Sequence, residues 1–341
     1  MIARDFRQAF ASAAPGQRIR GRVPLGTSAS GSEFGIPWIA LKGAHPGRCL
    51  WINGQVHGDE INGLLAGFDF INGIDPARLH GSVAMTTTAN PFALDARRKK
   101  TPADEEDLDQ AYPGRADGLP TERLAAALFP LVLEHADITV CMHAVGTPYK
   151  AVPYAVYKLH PNSGVDEQAM LRLTAHFRPA IACRMSVAAG GAELPGNIAG
   201  ALDYQLLARG RAAFMLEIGS GGRAQPQFIA QTAAGLRSLA AEMGLLPDEA
   251  PLPCPATLLR ATRRGHVTVT EGGFARMGAE PGQVARAGTP LLHIQNAYGE
   301  HVESVTQRED VFVISLRRDP VVHAGDRGAF VAWEWDEVAI G

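Results

Sequence analysis

The chain is short of cysteine, of basic runs and of long apolar stretches, and each shortage removes a class of protein. Four cysteines, Cys49, Cys141, Cys183 and Cys254, are scattered through 341 residues. No pair has zinc-finger or redox spacing, so free thiols in a reducing compartment are expected. No run approaches the roughly 20 apolar residues that span a bilayer. The N-terminal MIARDFRQAFASAAPGQRIRG lacks the apolar core of a signal peptide. The expectation is a soluble, cytoplasmic protein without a membrane partner. The 32 basic residues face 35 acidic ones, a formal net charge of −3. Without a basic block or basic–aromatic interleaving, nucleic acid is not an expected partner. What is present is an ordinary apolar fraction of 46%, ample for a core. The length suits one large domain with a smaller one, or two comparable domains.

Two textures divide the chain. From about residue 36 to 245, short apolar runs alternate with longer helical stretches. Trp38–Leu41, Cys49–Asn53, Ser82–Thr88, Ile138–Met142 and Ala212–Ile218 read as strands. Ile61–Asn72, Thr121–His135, Asp166–Phe177 and Gln231–Met243 read as helices, with Pro130 expected to kink or shorten its own. This alternation predicts an α/β sheet. The proline-rich PDEAPLPCP reads as a linker. After it come only short β-like runs broken by glycine, which predict a second, all-β domain. The expected division is 1–250 and 251–341.

The most informative segment is CLWINGQVHGDEINGLLAG. A strand ends at Asn53, the chain turns at Gly54, and His57 and Glu60 follow before a helix. The His-x-x-Glu spacing puts both side chains on one face of a turn, and both are good zinc ligands. Ligands in open α/β sheets bind beyond the carboxyl ends of strands, where this loop sits. A catalytic zinc usually takes three protein ligands, and His143 at the end of ITVCM is the best third. Glu217 lies in the apolar strand FMLEIGSGG, where a carboxylate is expensive to bury unless paired or functional. Beside the metal it could act as general base towards water and then as acid to a leaving amine. Each residue has a plainer reading alone: a chance His-x-x-Glu, a packed rim histidine, a glutamate that caps or pairs with arginine. What favours a metal site is their joint occurrence at strand ends.

These segments, with NPFAL near residue 90, DLDQAYPG near 107, MHAVG at 142 and LEIGSGG at 216, resemble the succinylglutamate desuccinylase/aspartoacylase family of the zinc carboxypeptidase superfamily. The tail from GGFARMG to VVHAGDRG resembles that family's C-terminal β domain, so the likeness spans about residues 36–333. It implies a carboxypeptidase-like mixed sheet flanked by helices and followed by a smaller all-β domain. It also implies one Zn²⁺ per chain, held by His57, Glu60 and His143, with Glu217 as acid/base. The implied reaction is hydrolysis of an amide bond in a small N-acylated amine or amino acid. The alternatives are a metallocarboxypeptidase and a metal-binding module without turnover. A homo-oligomer is left open.

Three departures from the family pattern stand out. The family usually shows Asp-Leu-Asn-Arg, whose Asn-Arg pair grips a substrate carboxylate, and this chain has Asp107-Leu108-Asp109-Gln110. Asp109 and Gln110 supply no positive clamp, so the substrate is expected to lack a carboxylate there or to carry an amine. The cation that faces the oxyanion falls on Lys99, or on Arg98 with a one-residue shift, and we favour Arg98. The plain reading of ARRKK is a solvated basic loop. Cys141 stands where the family often has Asp two residues before the histidine ligand, and it is expected to be a small buried residue. Asn90 is a candidate for orienting the loop or the substrate. Arg184 and Arg223 are candidates to replace the clamp.

Overall fold

A computed structural model of the protein describes residues 5–187 and 197–341. In chain order it contains α1 (Phe6–Ser12), β1 (Gln17–Thr27), β2 (Glu33–Lys42), β3 (His45–Asn53), α2 (Asn62–Asn72), β4 (His80–Thr86), α3 (Pro91–Ala96) and α4 (Pro120–His135). There follow β5 (Ile138–Val145), β6 (Tyr149–Ala151), β7 (Tyr154–Leu159), α5 (Glu167–Ala175), β8 (Ala182–Ser186), α6 (Leu202–Leu207), β9 (Ala212–Ser220) and α7 (Pro226–Glu242). The rest is β10 (Thr257–Thr268), β11 (Gly273–Met277), β12 (Val284–Ala285), β13 (Leu292–Gln295), β14 (His301–Val305), β15 (Val311–Arg317), β16 (Val321–Val322) and β17 (Arg327–Ala339). Among the described residues no helix is long and apolar enough to cross a membrane.

Successive side chains of a strand point to opposite faces, and the apolar residues sort accordingly. On β3, Leu50 and Ile52 join a core with Phe70 of α2, Leu171 of α5 and Leu239 of α7. Cys49 and Trp51 join the opposite core with Leu124 and Leu128 of α4 and Leu206 of α6. β5 and β9 repeat the division: Met142 and Ile218 belong to the first core, Cys141 and Ala213 to the second. A strand buried on both faces is apolar throughout, and such strands are typical of helix-covered parallel sheets. Here β4, β3, β5 and β9 run mutually parallel.

The sheet order is β1-β2-β4-β3-β5-β9-β7-β8-β10-β17-β15-β12, with β6 as a thirteenth strand beside β15. β7 is antiparallel to β9, so the sheet is mixed. A separate antiparallel sheet, β14-β13-β11-β16, packs around Leu292, Ile294 and Val322 near the C-terminus. The expected fold class is therefore present. The C-terminal strands are not confined to the small sheet, however. β10 pairs in parallel with β8, and β17, β15 and β12 continue the main sheet. Backbone hydrogen bonding thus joins the segments on either side of residues 247–255, which contain neither helix nor strand.

Local differences from the sequence reading have physical causes. α4 does not end early but continues past Pro130 to His135. The proline is exposed, and Phe129, Leu131 and Val132 beside it are buried, so packing outweighs one lost hydrogen bond. α7 begins at Pro226 rather than residue 231, because proline is pre-shaped for the first helical turn. The strand expected over residues 82–88 covers 80–86, since Thr87 turns to bond Pro37 O.

The loop after β3 is tightly held. Gln55 adopts φ 35°, a sparsely populated region for a non-glycine residue. Its side-chain amide donates to Gly58 O at 3.1 Å, and its carbonyl accepts Ala89 N–H at 3.1 Å. A Cβ at Gly58 would lie 1.8 Å from Ala93 O, so the loop lies directly on the backbone of α3. Gly58→Ala is therefore expected to cost at least about 2 kcal/mol, since backbone must move to relieve the overlap. Urea unfolding tests this, and an unchanged midpoint would show that the contact yields freely.

Candidate active site

The carboxyl ends of β3, β5 and β9 lie side by side, and each delivers one part of a buried cluster. His57 and Glu60 come from the loop after β3. His143 lies on the same face of β5 as Cys141. All three are buried, and one ligand atom from each can be chosen so that all lie within 4.8 Å of one another. Glu60 is the hub. Its Oε1 is 2.7 Å from His57 Nδ1, and its Oε2 is 3.1 Å from His143 Nδ1. The Ala144 N–H also donates to Oε2 at 3.1 Å.

The outer nitrogen of His57, Nε2, meets Asp107 Oδ1 at 3.0 Å. Burial alone would lower the His57 pKa, but Glu60 and Asp107 outweigh it and lift the value to about 10. Burial would likewise raise Glu60, yet the two imidazoles bring it down to about 2. Asp107 is held well below the usual range: burial opposes this, but His57 and Lys99 outweigh it. Two imidazoles and a carboxylate, with one histidine backed by a second carboxylate, match a catalytic zinc site. The donor set fits the metal that the sequence implied.

Glu217 is the direct cross-strand neighbour of His143 on β5 and of Tyr154 on β7. Its Oε2 is buried and has no hydrogen-bond partner among the described residues. Burial, and then the charge of Glu60, pushes its pKa up to about 7. His57, His143, Tyr154 and Glu217 line one cavity of about 200 Å³. Val156, Met185, Met215 and Phe330 give it an apolar wall, while Lys158, paired with buried Asp203 at 2.5 Å, adds a neutralised charge.

The remaining sequence candidates take separate places. Lys99 lines the cavity with Nζ 3.2 Å from Asp107 Oδ2. Burial opposes its charge, but Asp107 and Glu60 keep its pKa raised. Arg98 bonds Glu105 at 2.9 Å in an exposed pair and is not part of the cavity wall. Asp109 and Gln110 are on the wall. Gln110 binds the backbone N–H of Asn197 through Oε1 at 3.1 Å. Asn90 is buried away from the wall as the N-cap of α3, accepting from Ala93 N–H at 3.1 Å and donating to Thr101 Oγ1 at 2.9 Å. Cys141 is buried, and burial pushes its thiol well above the usual range. Arg184 is half-exposed beside Glu167, and Arg223 is exposed.

Sequence reasoning passed over Asp107, Tyr154, Lys158, Arg264 and Phe330, all on the wall. Tyr154, Val156 and Lys158 alternate along β7, a period-2 signal that was open to reading. Arg264 and Phe330 come from β10 and β17, beyond the proline-rich segment, and carry no local signal.

The mixed sheet thus gathers at its strand ends three buried side chains that could hold a metal ion, as in a metal-dependent hydrolase. The catalytic-domain model of the succinylglutamate desuccinylase/aspartoacylase family matches residues 46–243, and the chain belongs to that family. Relatives are similar over nearly its whole length. An N-alpha-acetyl-L-2,4-diaminobutyric acid deacetylase of Halomonas elongata is 23% identical over 301 residues, covering 87% of this chain and 85% of the relative. A succinylglutamate desuccinylase from Silicibacter sp. TM1040 shares the fold with TM-score 0.80 at 19% identity, covering 95% of this chain and 96% of the other. The product-bound ectoine utilization protein EutE (DoeB) from Ruegeria pomeroyi gives TM-score 0.79 at 22% identity, covering 93% and 95%.

The raised pKa of Glu217 makes a stability prediction. The folded protein holds this proton up to about pH 7, against an ordinary value of 4.5. Stability therefore falls as pH rises through that window, and the full penalty is present above it. In chelator, Glu217→Gln should be more stable than wild type at pH 8, by on the order of 3 kcal/mol, with no gain below the ordinary carboxylate range. Equal urea midpoints at every pH would contradict this.

Proposed function

We propose that the protein is a zinc-dependent deacylase that hydrolyses the amide bond of a small N-acylated amine or amino acid in the cytoplasm. The observation that carries this reading is Glu217, whose buried Oε2 has no hydrogen-bond partner among the described residues, in one cavity with His57 and His143. A structural glutamate would be paired or solvated; one poised near pH 7 suits proton transfer in both directions. Family membership supports amide cleavage. Four free thiols, three of them buried, fit a reducing compartment.

His57, Glu60 and His143 would hold the zinc, which supplies polarisation of the scissile carbonyl and activation of water. Glu217 takes the proton of the attacking water and passes it to the nitrogen of the leaving amine as the C–N bond breaks. Lys99 faces the charge that develops on the carbonyl oxygen. Its ion pair with Asp107 ties this cation to the residue that orients His57. Val156, Met185 and Met215 exclude water from the reacting bond. At positions 109 and 110 the wall offers a carboxylate and a neutral amide. A substrate that brings an ammonium to this side fits it, and the diamino acid in the name of the Halomonas relative is such a molecule.

The test is amine release from N-acyl amino acids, N-acyl diamines and simple N-acyl amines. Release should stop with chelator and return with zinc, and Glu217→Gln should lower kcat by about 10²–10⁴-fold. No release from any zinc-loaded preparation would favour a metal-binding module without turnover. Lys99→Met should lower kcat by about 10²–10³-fold with little change in KM. Arg98→Met should stay close to wild type. The reverse ranking would move the oxyanion contact to Arg98.

A further inference from the structure

Asp107 and Asp109 flank Leu108 in a single short 3-10 turn, Leu108–Gln110, and both carboxylates lie against the metal-ligand cluster. The first has an evident task, since it accepts from His57 Nε2 at 3.0 Å. The matching atom of the other histidine, His143 Nε2, is buried and has no hydrogen-bond partner among the described residues. An imidazole that ligates through one nitrogen nearly always donates its other N–H to a carboxylate, a carbonyl or water, which fixes its tautomer and aim. Both Nδ1 atoms face Glu60, so the proton of His143 falls on Nε2. Asp109 Oδ1 lies 4.0 Å from that atom.

Resting on the metal-site reading above, we propose that Asp109 is a positioning residue that takes the Nε2–H of His143, as Asp107 takes that of His57. One turn then aims both imidazoles. Asp109 is available for this role. Among the described residues its carboxylate accepts no other hydrogen bond, and the nitrogen of an ion-pairing group within 4.0 Å is His143 Nε2. A movement of about 1 Å brings the pair to hydrogen-bond length, within the reach of a short side chain. Two of the departures noted in the sequence then become one. Position 141, on the same face of β5 as His143, carries a buried thiol and no carboxylate. Position 109, two residues beyond Asp107, supplies the carboxylate from a different element.

The experiment measures zinc binding to the full-length, metal-free chain by competition with a chromophoric chelator, with thermal melts of the metal-free proteins as folding controls. Asp109→Ala should weaken zinc binding about 10–100-fold, as loss of such a partner typically does. Asp109→Asn keeps an acceptor oxygen in the same place, so its loss should be smaller. It also serves if the alanine variant does not fold. The cobalt-loaded Asp109→Ala protein should show a shifted visible spectrum. Zinc affinity within about twofold of wild type in both variants overturns the proposal. So does a defect confined to the KM of ammonium-bearing substrates, which would assign the carboxylate to the substrate. If wild type itself fails to bind zinc, the metal reading falls rather than this one. The zinc-binding, melting and spectral readouts do not require activity.

Discussion

The arrangement depends on a single carboxylate. Glu60 receives both imidazoles and the N–H of Ala144, so the loop after β3 and the end of β5 meet on its two oxygens. A buried carboxylate is destabilising on its own, and this one is tolerated because two rings can carry compensating charge. The same neighbours separate the two glutamates. Glu60, between the histidines, is strongly acidic, while Glu217, a strand further on and facing Glu60's charge, is pushed towards neutrality. Two like residues near one centre are thus held in different protonation states, which suits Glu60 to the part of a fixed anion and Glu217 to the proposed part of a proton carrier.

The fold serves this cluster by parity. On β5 and β9, residues 141, 143, 213, 215 and 217 share a face, so one choice of register places His143 and Glu217 side by side. β7 then contributes Tyr154, Val156 and Lys158 to the same wall by the same alternation. The loop with His57 cannot use parity. It is aimed instead by close backbone contact at Gly58 and by the unusual conformation of Gln55.

The sequence was most informative where chemistry and periodicity coincide. The strands Cys49–Asn53 and Ile138–Met142 were visible as apolar runs, and His57, Glu60 and His143 stood out as polar residues at their ends. Legibility failed where position depends on distant parts of the chain. Arg98 and Lys99 are adjacent in the same basic run, and only the tertiary fold turns one to the cavity and the other to Glu105. Asn90 looks like a site residue by motif, yet its amide oxygen caps α3 and its amide nitrogen donates to Thr101 Oγ1. Arg264 and Phe330 were beyond inference, because nothing in a glycine-broken β segment reveals that it pairs with β8 and returns to the cavity.

That return has a consequence for how selectivity can change. The proposed metal donors and proton carrier all come from the first 217 residues, whereas part of the cavity wall is supplied by β10 and β17. The reacting groups and the gauge that measures the incoming molecule are thus encoded in separate stretches of chain. Exchanging the C-terminal strands for those of a relative would alter the gauge and leave the reacting groups untouched, as a change of jaws alters what a tool can grip without altering its hinge.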